Sequence, residues 1–370
     1  MSKKIILIST VFVLIFLVGC SEKEVKVPLE EVGMVGIMAF DYIDEDTTKL
    51  TVAIPQYSPE AQRNTQIFSV KTDLVSKGIV KIEKLSDKKV ILNQLRVVLI
   101  NEEYARKGKV QKVIQNLYRD AEVGNKVLIA VVNGDGEDLL KGEYLDKPNI
   151  NFYLNDLLLP SINTAFNPNT NIHDFIYTLT NPVFDPIIPI IEKVDDKIEI
   201  KGVALFKNKN MFESITPSEA LIIQALQGKK KLAPLPLDLN KGNGKEVVML
   251  DLIESKVKIK SNKNHDSPKL TITLNVKGTL SEYKGKREHE LNTPKSIAIL
   301  EEDIDKQLSK DIEDFLDKLK GLKIDPIGLS ENFRMYYKGE WNKKLTEKTI
   351  AKLNVDVHVK TSIISTGTLK

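Results

Sequence analysis

The stretch LTITLNV, Leu270–Val276, alternates apolar and polar residues from end to end. Leu270, Ile272, Leu274 and Val276 fall on one side of an extended chain, and Thr271, Thr273 and Asn275 fall on the other. That is the pattern of a strand with one dry face and one wet face. Antiparallel sheets tolerate such asymmetry, whereas parallel strands covered on both faces read as continuous apolar runs. Glu246–Lys260 and Leu270–Leu280 therefore predict long antiparallel strands, and Val355, Val357 and Val359 within NVDVHVKTSI predict a last strand. A helix is expected to cover them. Leu300, Ile304, Leu308, Ile312, Phe315 and Leu319 recur at threes and fours over Ile297–Lys320. Glu302–Lys306 and Asp314–Lys318 are supportive pairs four residues apart, and Gly321 is the expected stop. This half of the chain is α+β.

Working back from it, KIEIKGVALF (Lys197–Phe206) predicts a strand, and SEALIIQAL (Ser218–Leu226) predicts a short helix with Ser218 as its N-cap. NPVFDPIIPII, Asn181–Ile191, carries Pro182, Pro186 and Pro189 and is expected to be an extended linker, since proline cannot serve a regular helix or central strand. Residues 150–180 predict one or two helices broken at Asn167-Pro168-Asn169. Before them, GMVGIMAFDY, KLTVAIPQY, LRVVLI and KVLIAVV read as strands. They alternate with helical spacing at Ile67, Val70, Leu74 and Val75, and at Val110, Val113, Ile114 and Leu117. The fold class is thus α+β and multidomain, with mixed and antiparallel sheets and packed helices. Expected units are an N-terminal region at 32–195, with a small helical subdomain at 148–195, and a C-terminal domain at 196–370. A length of 370 residues suits two or three domains.

The first thirty residues follow another logic. Lys3 and Lys4 precede Ile5–Val18, which contains no charge and is shorter than the roughly 20 apolar residues that cross a bilayer. This is the layout of a secretory signal peptide, residues 1–19. It ends in Leu17-Val18-Gly19-Cys20, which fits a bacterial lipobox: two aliphatic residues, a small residue at the cut, then cysteine. Cys20 is the only cysteine of the chain, so it has no thiol partner for a disulfide or a metal cluster. Its sulfur is the atom that can carry a thioether-linked diacylglycerol, and acyl chains add about 0.8 kcal/mol per buried methylene. Residues 20–31, polar and containing Pro28, read as a short tether. Loss of Lys3 and Lys4 with the leader lowers the formal charge of +3 by two. A near-neutral body of this kind argues against general nucleic-acid binding. Gly228–Lys231 reads as a solvated basic loop.

Catalytic and metal constellations are weak. Glu301, Glu302, Asp303 and Asp305 crowd what is expected to be a helix start, where negative charge favours the dipole. Asn133–Asp138 is similar to a calcium loop but has Asp138 where glycine belongs at position six and Tyr144 where glutamate belongs at position twelve; a turn into a short helix is expected. Gly242–Glu246 lacks phosphate-loop spacing, and His173, His265, His289 and His358 are scattered. No cofactor or metal residues are assigned, and the chain is not expected to be an enzyme.

The ordered set of lipobox, GMVGIMAFDY, KLTVAIPQY, LRVVLINEEYARKG, LYRDAEV, DFIYTLTNPVFDPIIP, IKGVALFKNKNMFESITPSEA, LDLIESKVKIK, the long charged helix, Trp341 in KGEWNKK and VDVHVKTSIISTG covers nearly the whole mature chain. In that order it resembles the Ger(x)C family, the C-subunit lipoproteins of nutrient germinant receptors in endospore-forming bacteria. Two departures stand out: Cys20-Ser21-Glu22 where the family has Cys-Trp-Asp, and Asp325-Pro326-Ile327-Gly328-Leu329 where it has Phe-Gly preceded by Asp-Ile. The resemblance implies a three-domain α+β lipoprotein on the outer face of the spore inner membrane. It implies N-palmitoyl and S-diacylglycerol groups on Cys20, partnership with integral-membrane A and B receptor subunits, and no catalytic residue. The other class in view is a lipid-anchored solute-binding protein of a transporter, which would normally have two α/β lobes with parallel crossovers. A lipid-anchored hydrolase would require a nucleophile and a base in one cleft.

Overall fold

The computed structural model describes residues 31–56, 64–147, 149–159, 170–241, 244–285 and 293–366, together with Pro28, Pro168, Arg287 and Leu291. In chain order the first elements are β1 (Val32–Met34), β2 (Ile37–Tyr42), β3 (Thr48–Pro55), β4 (Thr65–Thr72), α1 (Val75–Glu83), β5 (Lys89–Ile91) and β6 (Val97–Asn101). Then come α2 (Glu102–Arg106), α3 (Val110–Arg119), β7 (Leu128–Asn133), α4 (Gly136–Lys141), α5 (Ile150–Leu158) and α6 (Ile172–Thr180). The chain continues through β8 (Ile187–Val194), β9 (Lys197–Lys207), β10 (Asn210–Ile215), α7 (Pro217–Leu226), β11 (Leu235–Lys241), β12 (Gly244–Ser261) and β13 (Lys269–Lys284). It closes with α8 (Pro294–Leu322), α9 (Glu331–Arg334), α10 (Lys343–Ala351) and β14 (Asn354–Ser365).

Eight strands form one mixed sheet in the order β10-β9-β8-β7-β6-β2-β3-β4. Its centre is parallel, with β2–β6, β6–β7 and β7–β8 all in that sense. These strands are apolar on both sides: Val98, Ile100, Ile129 and Val131 face one core, with Ile114, Leu117 and Phe175 from the helices, while Val97, Leu99, Leu128 and Ala130 face another, with Leu139, Leu154 and Leu158. Continuous apolar runs and double coverage are the same fact seen twice.

Two expectations need correction in this sheet. Ile67 and Val70 lie on an edge strand paired with β3, not on a helix, and the helix begins at Val75. A short run with apolar residues at i and i+3 satisfies both periods poorly, and pairing decides it. The proline-rich segment is likewise not a free linker, because Ile187–Val194 is an interior strand between β7 and β9. Pro189 is accommodated because the register with β7 starts only at Ile190, one residue later. The 195/196 junction falls in the turn between β8 and β9, which pair with each other in this sheet.

The second sheet has the order β11-β12-β13-β14. β12 and β13 run antiparallel over Val247–Ser261, as the alternation predicts. β14, however, lies parallel to β13, because α8 intervenes as a crossover connection. Leu270, Ile272, Leu274 and Val276 pack against Leu300, Ile304, Leu308, Ile312, Phe315 and Leu319 of α8, in one core that also takes in Val203, Leu205 and Ile215 of the first sheet. Thr293 caps α8 by accepting from the Ser296 amide, and Pro294 takes the first helical position. The helix runs through Gly321 and stops at Lys323, whose backbone adopts φ 57 and ψ 48. At α7 the cap is Thr216, not Ser218, with a reciprocal Glu219 bond and Pro217 in the first turn.

Phe315 is 2% exposed at the centre of this core. Phe315→Ala should cost about 3–5 kcal/mol, seen as a lower urea midpoint for unfolding of the C-terminal sheet.

Candidate functional site

The loop after α8 and the segment before β8 meet in a seam between the two sheets. The Asp325 carboxylate accepts the backbone N–H groups of Gly328 (2.7 Å), Leu329 (2.8 Å) and Ser330 (2.7 Å). The Asp325 amide donates to Asp185 Oδ2 at 2.7 Å, and the Asp185 amide donates to the Asp325 carbonyl at 3.1 Å. Lys343 brings its ammonium to 2.7 Å from Asp185 Oδ1 and donates to the Phe184 carbonyl. Trp341 Nε1 donates to Thr346 Oγ1, which in turn donates to the Pro182 carbonyl at 2.7 Å. Gly328 sits at φ +86, and a Cβ there would lie 2.2 Å from the Phe184 ring. Both carboxylates are buried, and burial raises their pKa, opposed at Asp185 by Lys343 and at Asp325 by its backbone donors. Every polar atom named here is used for positioning.

Further ionic groups lie outside the seam. Lys49 lies among Asp135, Glu137 (3.1 Å) and Asp41 (3.9 Å) at the mouth of the Asn133–Asp138 turn. Asp135 caps α4, so the sequence's turn into a short helix stands, and a lysine ammonium occupies the centre of its carboxylates. Burial pushes Asp41 up to about 6, against the Gly136 amide bond and the Lys49 charge. Glu137 is held down at about 2, first by Lys141. Elsewhere Arg287 bridges Glu246 and Asp303. The remaining carboxylates of the α8 cluster sit well past the helix start at Pro294, so the dipole does not explain them. Asp305 accepts the Thr361 amide at 2.6 Å, Glu301 accepts the Ile363 amide at 2.7 Å, and Glu302 pairs with Lys306. Lys318, expected to pair with Asp314, reaches Glu219 of α7 at 2.9 Å.

A cleft of about 770 Å³ is bordered by Thr72, Asp73, Tyr104, Lys107, Lys109 and Lys209. A groove of about 470 Å³ between α7, the sheet and α8 has Ile222, Leu235, Leu308 and Phe315 in its walls and Asp311 and Asp314 in its lining. Neither lining contains His or Cys. Among the described residues, His265 stacks edge-on to Tyr337 at 4.8 Å, His173 lies 6.4 Å from Tyr118, and His358 contacts Asp356 at 3.0 Å; the three do not converge. Also among the described residues, no group of three His, Cys, Asp or Glu side chains is placed to hold a metal ion. Cys20, like the leader and most of the tether, lies outside the described residues, as does His289.

Residues 26–193 match the family described as spore germination protein N-terminal domain, and residues 201–367 match spore germination B3/GerAC like, C-terminal. The chain is 27% identical over 353 residues to spore germination protein GerQC of Bacillus cereus, covering 95% of this chain and 96% of that one. It is 23% identical over 376 residues to spore germination protein A3 of Bacillus subtilis, covering 96% and 95%. With spore germination protein KC of the same organism it shares 22% over 323 residues, covering 81% and 79%. The crystal structure of the GerBC protein has a similar fold, with a TM-score of 0.58 at 18% identity, over 88% of this chain and 96% of that one.

Two substitutions probe the buried carboxylates. Asp325→Ala strands three amide donors and should cost at least about 3 kcal/mol, read from the urea midpoint. Asp41 binds its proton more tightly in the folded chain (about 6) than at its ordinary value of 3.8, so its contribution is greatest in acid and is lost as pH rises through that interval. Asp41→Asn should therefore reduce the fall in thermal midpoint between roughly pH 4 and pH 7.

Proposed function

The chain belongs to the GerAC-like family of germinant receptor C subunits, proteins of spore germination, and from that premise we propose that it is the lipid-anchored subunit of a nutrient germinant receptor. It acts by protein–protein contact with the integral-membrane A and B subunits of that complex, at the outer face of the spore inner membrane. The observation that carries this reading is the match to both family halves, residues 26–193 and 201–367, in the right order along one chain. The lipobox at Leu17–Cys20 supports the anchor, with diacylglycerol on the Cys20 sulfur and palmitate on its freed amine. No helix among the described residues is long and apolar enough to cross a membrane.

The buried carboxylates of the seam are committed to structure, holding backbone amides and a lysine. The solute-binding alternative has less behind it, since the relatives matched along the chain are spore germination proteins.

Cys20→Ala should abolish acylation, seen as loss of the lipid mass from the N-terminal peptide. It should also lower the amount of chain that co-purifies with multispanning subunits from detergent-solubilised spore membranes. Normal receptor assembly and normal nutrient germination in Cys20→Ala spores would defeat the anchor reading.

A further inference from the structure

The sheet β11-β12-β13-β14 is covered by α8 on one face only. Its other face carries a register of cations. Row by row across β12, β13 and β14, the outward residues are Lys260–Thr271–Asp356, Lys258–Thr273–His358, Lys256–Asn275–Lys360 and Glu254–Lys277–Ser362, with Lys269 one step beyond. Lys256, Lys258, Lys260, Lys269, Lys277 and Lys360 are all exposed, and none forms a salt bridge among the described residues. Against these six charges stand Glu254 at one end and Asp356, which is in contact with His358. Alternate residues on a strand repeat at about 7 Å and strands at about 4.8 Å. The patch is therefore a shallow lattice of ammonium groups floored by Thr271, Thr273 and Asn275.

We propose that this open sheet face docks on an anionic phospholipid bilayer, its lysines against the headgroup phosphates. Charge complementarity is the main argument. Shape is the second: the face is an open sheet surface, and none of its six lysines lines either cleft described above, which suits a layer of phosphates. No Phe, Tyr or Trp stands in these rows, and one imidazole, His358, does not make the run of stacking rings on which single-stranded nucleic acid is held. The inference rests on the membrane location proposed above: the acylated tether holds the body near the bilayer, and a basic face fixes which side of it meets the headgroups. Each lysine close to an anionic surface strengthens binding about fivefold.

The test uses the mature chain from residue 20 onward with Cys20→Ala, so that no acyl chain contributes; all three cores described above are built from residues beyond 31. Cosedimentation is measured with vesicles of phosphatidylcholine alone and of phosphatidylcholine mixed equally with phosphatidylglycerol. The expected result is binding to the mixed vesicles only, weakened by salt. The triple variant K256Q/K258Q/K260Q should bind about a hundredfold more weakly, while K84Q/K112Q/K126Q, equal in charge and exposed on the other unit, should lose far less. K277Q/K360Q, on two other strands, should fall about twenty-five-fold, which guards against local misfolding of one strand. Equal binding to both vesicle types, no binding to either, or equal losses in the β12 and control variants would each overturn the proposal. Because the probe is unacylated, such a failure leaves the Cys20 reading standing.

Discussion

One carboxylate sets the relation between the two sheets. Asp325 is 1% exposed, yet its oxygens gather three consecutive amides of the loop that follows α8, and its own amide is taken by Asp185. Buried N–H groups without acceptors are expensive, so the loop has few other conformations to adopt. Through Asp185 the same lock fixes the entry to β8, and β8 carries β9 and β10 into the first sheet. The dry residues of that edge, Val203, Leu205 and Ile215, then complete the core under α8. Removing the lock would loosen two layers at once.

The two sheets manage their faces differently, and the sequence patterns follow from that. In the first, helices lie on both sides and the central strands are apolar throughout; in the second, α8 covers one side and lysine and threonine fill the other. A one-sided sheet has exposed edges to protect. At β14 the protection comes from α8 itself, because Asp305 and Glu301 accept the outward amides of Thr361 and Ile363. These two residues were singled out in the sequence as an acidic cluster. Their use is to close an edge.

Alternation was the most legible signal in the chain. It located β12, β13, β14 and the buried side of α8, because a period of two or of three and four is imposed directly by strand and helix geometry. The runs at Leu95–Ile100 and Lys126–Val132 are legible as buried strands for a different reason, their unbroken apolar character, though not their parallel pairing, which depends on crossovers set far away in sequence. The strand at Ile187–Val194 was hidden by its prolines. Their cost depends on whether a neighbour needs the missing N–H, and only the register with β7 answers that. The seam was invisible as well: Asp185 and Asp325 are 140 residues apart, and each alone looks like a turn residue. Asp325-Pro326-Ile327-Gly328 departs from the family string, and nothing in the string itself says that the carboxylate and the glycine serve one turn.

The proposed acyl anchor and the proposed membrane-facing lysines would solve different parts of one physical problem. Twelve residues, 20–31, reach at most about 40 Å when fully extended, so an anchor at Cys20 would confine the body near a bilayer but leave it free to rotate. Confinement raises the effective concentration of any weakly attracted surface against the headgroups. A face that would bind vesicles only modestly when free in solution can then fix orientation once the chain is held. The cost of ordering is also small, since the lysines project from paired strands whose backbone is already fixed. Held in this way, the eight-stranded sheet, the apolar groove between α7 and α8 and its carboxylates would be turned away from the phosphates. They would be left to meet other proteins, which is the arrangement a subunit working through contact requires.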